Sequence, residues 1–253
     1  MQEGKGDGIV TRRKVYLQNA MLLTASGLVL RMLGMGFRVV LSAYLGGEGM
    51  GLYQLILALY MVFVSLATAG VNVAATRLAA QSLARGQGMA ATLRGLCAAA
   101  LAFGTTAMVA QAALAGPAAR FLLHDARAET ALRVLAPSLP FMAVAGALRG
   151  CFLAARRVTP NVIAQLIEQL VRMAVAVAGL RVMAQWGAGY GCAAVVLGNT
   201  VSESVSCCLM LVFTARMPEF ARRGREPLHP YTQRELYEIV LPVTGRPPLR
   251  RRL

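Results

Sequence analysis

The run GMGLYQLILALYMVFVSLATAGVNVAAT, residues 49–76, holds 28 consecutive residues without a charged side chain. A helix needs about 20 residues to cross the ~30 Å hydrocarbon layer of a membrane, so this run is long enough to span it. Two further runs, 95–119 and 182–202, lack charges over 25 and 21 residues. Because lipid offers no partners to unpaired backbone groups, such runs must be helical. The sequence therefore predicts an all-α integral membrane protein.

The composition supports this class over a soluble one. Hydrophobic residues make up 57% of the 253 residues and charged residues only 15%, against about a quarter charged in soluble domains. The formal net charge of +15 would fit a nucleic-acid-binding protein if it formed a basic patch on a soluble scaffold. Here the arginines interrupt apolar stretches instead. We expect membrane lipids around the chain and no nucleic acid as partner.

Three interrupted apolar segments add to the uncharged runs and bring the predicted number of transmembrane helices to six. A basic N-terminus (1–16) precedes this six-helix lobe (17–214), and a basic tail (215–253) follows it with the start of a seventh helix. The helices are expected near 17–45, 52–71, 95–116, 135–155, 161–183 and 188–214.

The distribution of Lys and Arg predicts the orientation. If the N-terminus is inside, the inner segments carry 19 basic residues and the outer segments only four. Basic residues concentrate on the cytoplasmic side of membrane proteins. We therefore expect a multi-pass protein with both termini in the cytoplasm. The inner segments are 1–16, 72–94, 149–160 and 215–253, and the outer ones are 46–51, 117–134 and 181–187.

Five charged residues lie deep within the predicted helices: Arg31, Arg38, Glu168, Arg172 and Glu203. Each costs about 2.5–3.5 kcal/mol at the centre of a membrane helix, so they are expected to face protein or a water-filled cavity. Arg149, Arg156 and Arg157 lie near the inner end of the fourth helix. Their long side chains are expected to snorkel to the interface.

The first helix places its two arginines on one polar stripe. Residues spaced by three or four lie on one helical face, and paired guanidinium groups bind phosphate or carboxylate oxygens well. This stripe predicts contact with an anionic ligand; the alternative is that the arginines brace neighbouring helices or snorkel. Its members are Thr24, Gly27, Arg31, Gly34, Arg38 and Ser42.

The fifth and sixth helices carry the remaining charges. Glu168 precedes Arg172 by four residues, the favourable order for a helical ion pair, and this pair has either a bridging or a substrate role. In the sixth helix, Asn199 and Glu203 share a face. Glu203 has no basic neighbour in its own helix, so it either pairs with a residue such as Arg31 or serves as a proton- or ion-coupling site.

Residues for soluble-type catalysis are missing from the sequence. The five cysteines lie in or beside predicted helices without metal-ligand spacing, and His124 and His229 stand alone in loops. No phosphate-binding loop, nucleophile elbow or zinc-protease helix occurs. We expect no enzyme, no cofactor and no metal.

The loop 117–134 mixes apolar and charged residues and is expected to lie along the outer surface as a short amphipathic segment.

Two stretches resemble one transporter family. They are RMLGMGFRVVLSAYLGGEGMGLYQ, from Arg31 to Gln54, and VTPNVIAQLIEQLVR, from Val158 to Arg172. Both are similar to motifs of the multidrug/oligosaccharidyl-lipid/polysaccharide (MOP) flippase superfamily, and the resemblance covers about residues 15–245. It implies the six-helix N-terminal lobe of a MATE-like transporter, whose two lobes enclose a cationic cavity.

By this resemblance, the lobe flips lipid-linked anionic oligosaccharide precursors of the cell wall or of polysaccharides by alternating access, with sporulation as one context. The resemblance places Arg31 and Arg38 in the cavity and matches Glu168 and Arg172 to a charged motif. With the residues of the sixth helix, the expected substrate-binding cavity comprises Arg31, Arg38, Glu168, Arg172, Asn199 and Glu203.

Family members are about twice as long as this chain. The start of a seventh helix, Glu238 onward, turns into an arginine- and proline-rich end. By the resemblance, we expect the chain to lie in the bacterial cytoplasmic (inner) membrane and to require either its missing C-terminal lobe or a homodimer partner. Two other functions stay open: a lobe for cation-coupled multidrug efflux, and a non-transporting scaffold or inactive remnant.

Overall fold

Helices make up nearly all of the described chain. The computed structural model describes residues 4–68, 71–84, 89–183 and 188–217. Seven α-helices and one π-helical turn (Ala118–Leu122) follow one another within these ranges. The α-helices are α1 (Gly4–Thr68), α2 (Val71–Ala84), α3 (Met89–Pro117), α4 (Ala128–Leu135), α5 (Ser138–Ala154), α6 (Thr159–Met183) and α7 (Ala188–Arg216).

Five helical segments in the described ranges are long and apolar enough to cross a membrane. Large apolar side chains are exposed along them, as expected where lipid replaces water around a protein. The chain is therefore a multi-pass membrane protein. The five segments are Ala20–Ser82, Thr92–Leu122, Ala128–Ala154, Thr159–Met183 and Gly189–Arg216.

The first of these segments, Ala20–Ser82, covers nearly all of the first two predicted helices. Residues 17–45 and 52–71 were expected as separate helices joined by 46–51. In the structure, helical geometry in α1 is interrupted at Gly46, where φ is 67° and ψ is −175°. Glycine adopts such a positive φ without the steric penalty of a Cβ atom. The break is thus one residue long, and the division of α1 into two spans remains a prediction.

Two predicted connections are largely helical. The expected inner connection 72–94 contains most of α2 and the start of α3. The expected outer segment 117–134 contains the π-helical turn and most of α4. The apolar face of α4 was expected at the membrane surface, but the structure buries it inside the protein because α3 and α7 pack against this helix. Its buried residues are Ala128, Ala131, Leu132 and Leu135.

Three apolar clusters hold the bundle together. One joins α2, α3, α5, α6 and α7. A second joins α1 after Gly46 to α3, the π-helical turn, α4, α5 and α7. The third packs the part of α1 before Gly46 onto α6 and α7, through Phe37 and Leu41 against Ala176, Leu180 and Val195.

Glycine allows α6 and α7 to approach closely. A Cβ atom added to Gly198 would lie 2.9 Å from the carbonyl oxygen of Arg172, and one added to Gly179 would lie 3.0 Å from the Cβ of Ala194. Small residues at such contacts let membrane helices pack backbone to backbone. This crossing brings the charged residues of α6 next to those of α7.

A glycine at the α3–α5 contact provides a test of the packing. A Cβ atom on Gly104 would lie 2.6 Å from the Cα of Pro140 and 3.1 Å from the carbonyl oxygen of Leu139. Overpacking a core of this kind costs about 1–3 kcal/mol. We expect Gly104→Ala to lower the thermal unfolding temperature of the purified chain. Gly95→Ala is the matched control on the same helix, because no atom lies within 4 Å of its added Cβ. Equal unfolding temperatures for the two variants would contradict the close α3–α5 contact.

Candidate functional site

A cluster of four charged side chains joins α5, α6 and α7 inside the bundle. Glu168 of α6 is its centre, with a side chain only 12% exposed. One carboxylate oxygen, Oε1, accepts a hydrogen bond from Nη2 of Arg172 at 2.7 Å, and the other, Oε2, accepts one from Nη2 of Arg149. Glu203 of α7 is the fourth member. Both oxygens of Glu168 are thus satisfied by arginines from two different helices.

Neighbouring polar groups occupy the remaining guanidinium nitrogens of Arg172. Its Nε donates to the Ser202 hydroxyl at 3.3 Å, and its Nη1 donates to the Gln169 side chain at 3.4 Å. The Ser202 hydroxyl in turn donates to the backbone carbonyl of Asn199 at 2.8 Å. Arg172 is therefore held at each nitrogen by groups of this chain.

Arg149 is held from two sides. Its Nη2 donates to the Ser206 hydroxyl of α7 at 2.7 Å as well as to Glu168. Its backbone carbonyl accepts a hydrogen bond from the side-chain amide of Asn161 at 3.2 Å. Through these contacts Arg149 connects α5 to both α6 and α7.

Glu203 is the least satisfied member of the cluster. The residue is 5% exposed, and its Oε1 lies 3.6 Å from Nη2 of Arg172, which is too long for a hydrogen bond. Its Oε2 is buried without a hydrogen-bond partner among the described residues. The carboxylate therefore has a nearby cation but not the donors that a buried charge normally requires.

The two arginines of α1 have a different environment. Arg31 and Arg38 are exposed, and within the described ranges neither forms an ion pair with a carboxylate. Cβ atoms added to Gly27 and Gly34, on the same face of α1, would have no other atom within 4 Å. The structure thus contains two kinds of intramembrane arginine. Arg149 and Arg172 are neutralised within the bundle, whereas Arg31 and Arg38 lie on an open face.

The partners of the predicted site residues agree only in part with the sequence expectations. The structure contains the expected ion pair between Glu168 and Arg172. Arg31 was weighed as the partner of Glu203, but the cation next to Glu203 is Arg172. Asn199 is half-buried on α7, one turn before Glu203.

Arg149 was missed because it was assigned to the inner connection 149–160 and expected to snorkel. In the structure Arg149 lies within α5, as the predicted helix 135–155 also places it, and its side chain forms an ion pair with Glu168. A signal was present in the sequence, since Arg149 falls inside the predicted helix 135–155 as its only charged residue. An isolated charge within a span indicates a buried partner on another helix.

A second group of charges lies at the connection before α4. Arg127 donates to Glu48 at 2.7 Å and to Asp125 at 3.1 Å, and its aliphatic stem packs on Gly189. The Arg127 guanidinium beside Asp125 lowers the pKa of that carboxyl group. These contacts tie the residues just after Gly46 to the starts of α4 and α7.

The histidines and cysteines in the described ranges do not form a site together with acidic side chains. Within the described ranges, no three His, Cys, Asp or Glu side chains come together as metal ligands. Cys151, Cys192 and Cys207 are buried as free thiols. His229 and the expected start of a seventh helix at Glu238 lie outside the described residues.

Comparison with known proteins identifies the family of the chain. The profile of the family described as "Polysaccharide biosynthesis protein" matches residues 16–226. The chain is 28% identical over 247 residues to stage V sporulation protein B of Bacillus subtilis (strain 168), an alignment that covers 92% of this chain and 46% of that protein. The chain thus spans about half the length of the curated relative that it matches. No solved structure matches significantly. Because the family profile covers most of its length, the chain belongs to the polysaccharide biosynthesis protein family.

Proposed function

We propose that this chain is a six-helix lobe of a MATE-like flippase, which moves lipid-linked anionic oligosaccharide precursors across the bacterial cytoplasmic membrane by alternating access. The observation that carries the proposal is the open face of α1, with Arg31 and Arg38 exposed and without acidic partners among the described residues. Family membership supports the same conclusion. The sporulation role in the relative's name is one context for the proposed activity.

The exposed arginines of α1 limit what can cover this face of the helix. An arginine facing lipid at the centre of a span costs about 2.5–3.5 kcal/mol on insertion scales. Phe37 and Leu41, which neighbour Arg38 on the helix, pack α1 onto α6 and α7. Arg31 and Arg38 stay exposed beside this contact and form no ion pair within the described ranges. The arginine face of α1 therefore requires water, an anionic ligand or another protein surface.

The chemistry of this face fits a pyrophosphate group. Two guanidinium groups two helical turns apart can each donate paired hydrogen bonds to phosphate oxygens. The open space beside Gly27 and Gly34 leaves room for a bulky headgroup. In this proposal Arg31 and Arg38 contact the substrate. Glu168, Arg172, Asn199 and Glu203 support the cavity wall from within the bundle.

The open face also fits an arrangement with a second lobe. Transporter sites commonly lie at the interface between two related repeats, and the aligned relative is about twice as long as this chain. We propose that a C-terminal lobe or a second copy of the chain completes the cavity and that the precursor passes between the lobes. Membrane lipids surround the remaining helices.

The topology belongs to the same proposal, with both termini in the cytoplasm. In a cysteine-free background, single cysteines placed within 46–51 or 117–134 are expected to react with an impermeant thiol reagent added outside intact cells. Cysteines within 72–94 or 215–253 are expected to react only after the membrane is permeabilised. Labelling of 72–94 from outside would contradict this orientation.

The experiment that tests the function is reconstitution. The complete transporter, with both lobes present, is placed in liposomes that carry a fluorescent lipid-pyrophosphate-linked saccharide in one leaflet. Protein-dependent appearance of the saccharide in the other leaflet is the expected result. The efflux alternative predicts transport of a cationic drug instead, and the scaffold alternative predicts neither activity. The two exposed arginines favour an anion because they would repel a cationic substrate.

A further inference from the structure

We propose that Glu203 is a proton-binding site at the α6–α7 contact of this lobe. This inference rests on the geometry of the charge cluster and does not depend on the proposed transport function. Its starting point is the unequal distribution of hydrogen bonds between the two buried carboxylates. Glu168 accepts one at each oxygen, whereas Glu203 accepts none among the described residues.

The guanidinium nitrogen that approaches Glu203, Nη2 of Arg172, is already in use, and Nε of Arg149 is buried without donating a hydrogen bond to any described residue. Nη2 of Arg172 donates to Glu168 at 2.7 Å and lies 3.6 Å from Glu203. Nη2 of Arg149 donates to Glu168 and Ser206, and the Ser202 hydroxyl donates to the carbonyl of Asn199. A buried carboxylate without donors is costly, and addition of a proton removes most of that cost.

Charged and titratable groups on α7 itself and on neighbouring helices interact with Glu203. Glu168 opposes its negative charge, and Arg172 and Arg149 favour it. Because the two arginines also compensate Glu168, they do not stabilise Glu203 as fully as a dedicated partner would. The interacting titratable groups are Glu168 and Arg172 on α6, Arg149 on α5, Tyr60 on α1 and Cys207 on α7 itself. On α4, Glu129 and Arg133 pair with each other.

A proton fits this position better than a metal ion does. Hard cations need about six oxygen ligands, and within the described ranges no such group of acidic or metal-ligating side chains surrounds Glu203. A metal ion here would also lie close to the guanidinium of Arg172. A proton needs only one oxygen, and the buried Oε2 is available for it.

Binding of the proton changes the contact between two helices. When Glu203 is ionised, the four charges of the cluster sum to zero. When it is protonated, the cluster carries one net positive charge, and Arg172 loses its charge attraction to Glu203 while it keeps Glu168 and its hydrogen bond to Ser202 of α7. Protonation is therefore expected to weaken the charge contact between α6 and α7 at Glu203.

Infrared difference spectroscopy of the purified full chain in nanodiscs tests the site. The spectra compare buffers at about pH 6 and pH 9, between which exposed carboxyl groups with pKa values near 4 stay ionised. We expect a carbonyl band of a protonated carboxyl group that is lost at the higher pH. Glu203→Gln should remove this band, and Glu129→Gln, which changes a more exposed carboxylate, should leave it.

Two outcomes would overturn the proposal: a band that persists unchanged in Glu203→Gln, or no band in the wild-type protein. Replacement of K⁺ by Na⁺ at constant pH should not alter the band, and loss of the band in Na⁺ would identify a metal-cation site instead. If Glu203→Gln does not fold, Glu203→Asp provides the second variant. It keeps a carboxyl group in a changed position, so we expect a band with a shifted frequency. An identical band in Glu203→Asp would also contradict the assignment.

Discussion

Replacing either Arg31 or Arg38 with alanine should abolish flipping of the lipid-linked precursor by the complete transporter while leaving membrane insertion unchanged or improved. Each arginine opposes insertion by a few kcal/mol, so its removal does not harm the helix. Hydrogen bonds to charged groups contribute about 1.5–3 kcal/mol each. The loss of one guanidinium should therefore reduce substrate affinity by at least about tenfold. Flipping rate and expression level are measured on the same variants.

Lysine substitutions refine this test. Arg31→Lys and Arg38→Lys should restore flipping only in part, because lysine keeps the charge but lacks the planar fork that binds two oxygens. Arg120→Ala serves as the control, since Arg120 is also exposed but belongs to the π-helical turn and not to the arginine face of α1. If Arg31 and Arg38 brace the bundle instead, their alanine variants would lose expression and thermal stability together. Transport at the wild-type rate in the double alanine variant would contradict ligand contact.

The second large effect is expected for Glu168→Gln. Glu168 neutralises Arg149 and Arg172 at once, so its loss leaves two guanidinium groups in the bundle with only Glu203 beside them. Breaking a buried charge pair by removal of one partner costs about 3–5 kcal/mol. We expect a large fall in the thermal unfolding temperature of the purified chain, or a failure to accumulate in the membrane.

A second ion pair of the same type provides the matched control. Glu129 and Arg133 have the same four-residue spacing and the same 2.7 Å distance as Glu168 and Arg172. The difference is exposure, since the arginine side chain is 62% exposed in the first pair and 24% in the second. Exposed pairs contribute about 0–1 kcal/mol, so Glu129→Gln should have little effect on the unfolding temperature. Equal effects of the two substitutions would show that the cluster at Glu168 does not stabilise the bundle.

The sequence predicted the features that depend on local pattern. The uncharged runs 95–119 and 182–202 lie largely within α3 and α7, because exclusion of charge is a property of each span by itself. The ion pair between Glu168 and Arg172 followed from its four-residue spacing on one helix.

Features that depend on contacts between helices could not be predicted in this way. The one-residue break at Gly46 was expected as a longer connection, because periodicity does not show how sharply a chain turns. The partners of Arg149 lie 19 and 57 residues further along the chain, at Glu168 and Ser206. No spacing rule connects residues so far apart, since the helix packing alone brings them together.

The same limit applies to the candidate site. The sequence grouped Arg31, Arg38, Glu168, Arg172, Asn199 and Glu203 as one set of cavity residues. The structure separates them into an open cationic face on α1 and a compensated cluster between α5, α6 and α7. Burial and hydrogen bonding make this distinction, and neither can be read from a single helix.

The most direct test of the central claim is binding of a lipid-pyrophosphate-linked saccharide to the purified chain, measured at two salt concentrations. We expect binding that weakens as salt rises and that falls at least about tenfold in the Arg31→Ala/Arg38→Ala double variant. An otherwise identical neutral lipid-linked saccharide should bind weakly to both proteins. Equal binding of the anionic saccharide by the wild-type chain and the double variant would contradict the claim that the α1 face recognises the pyrophosphate.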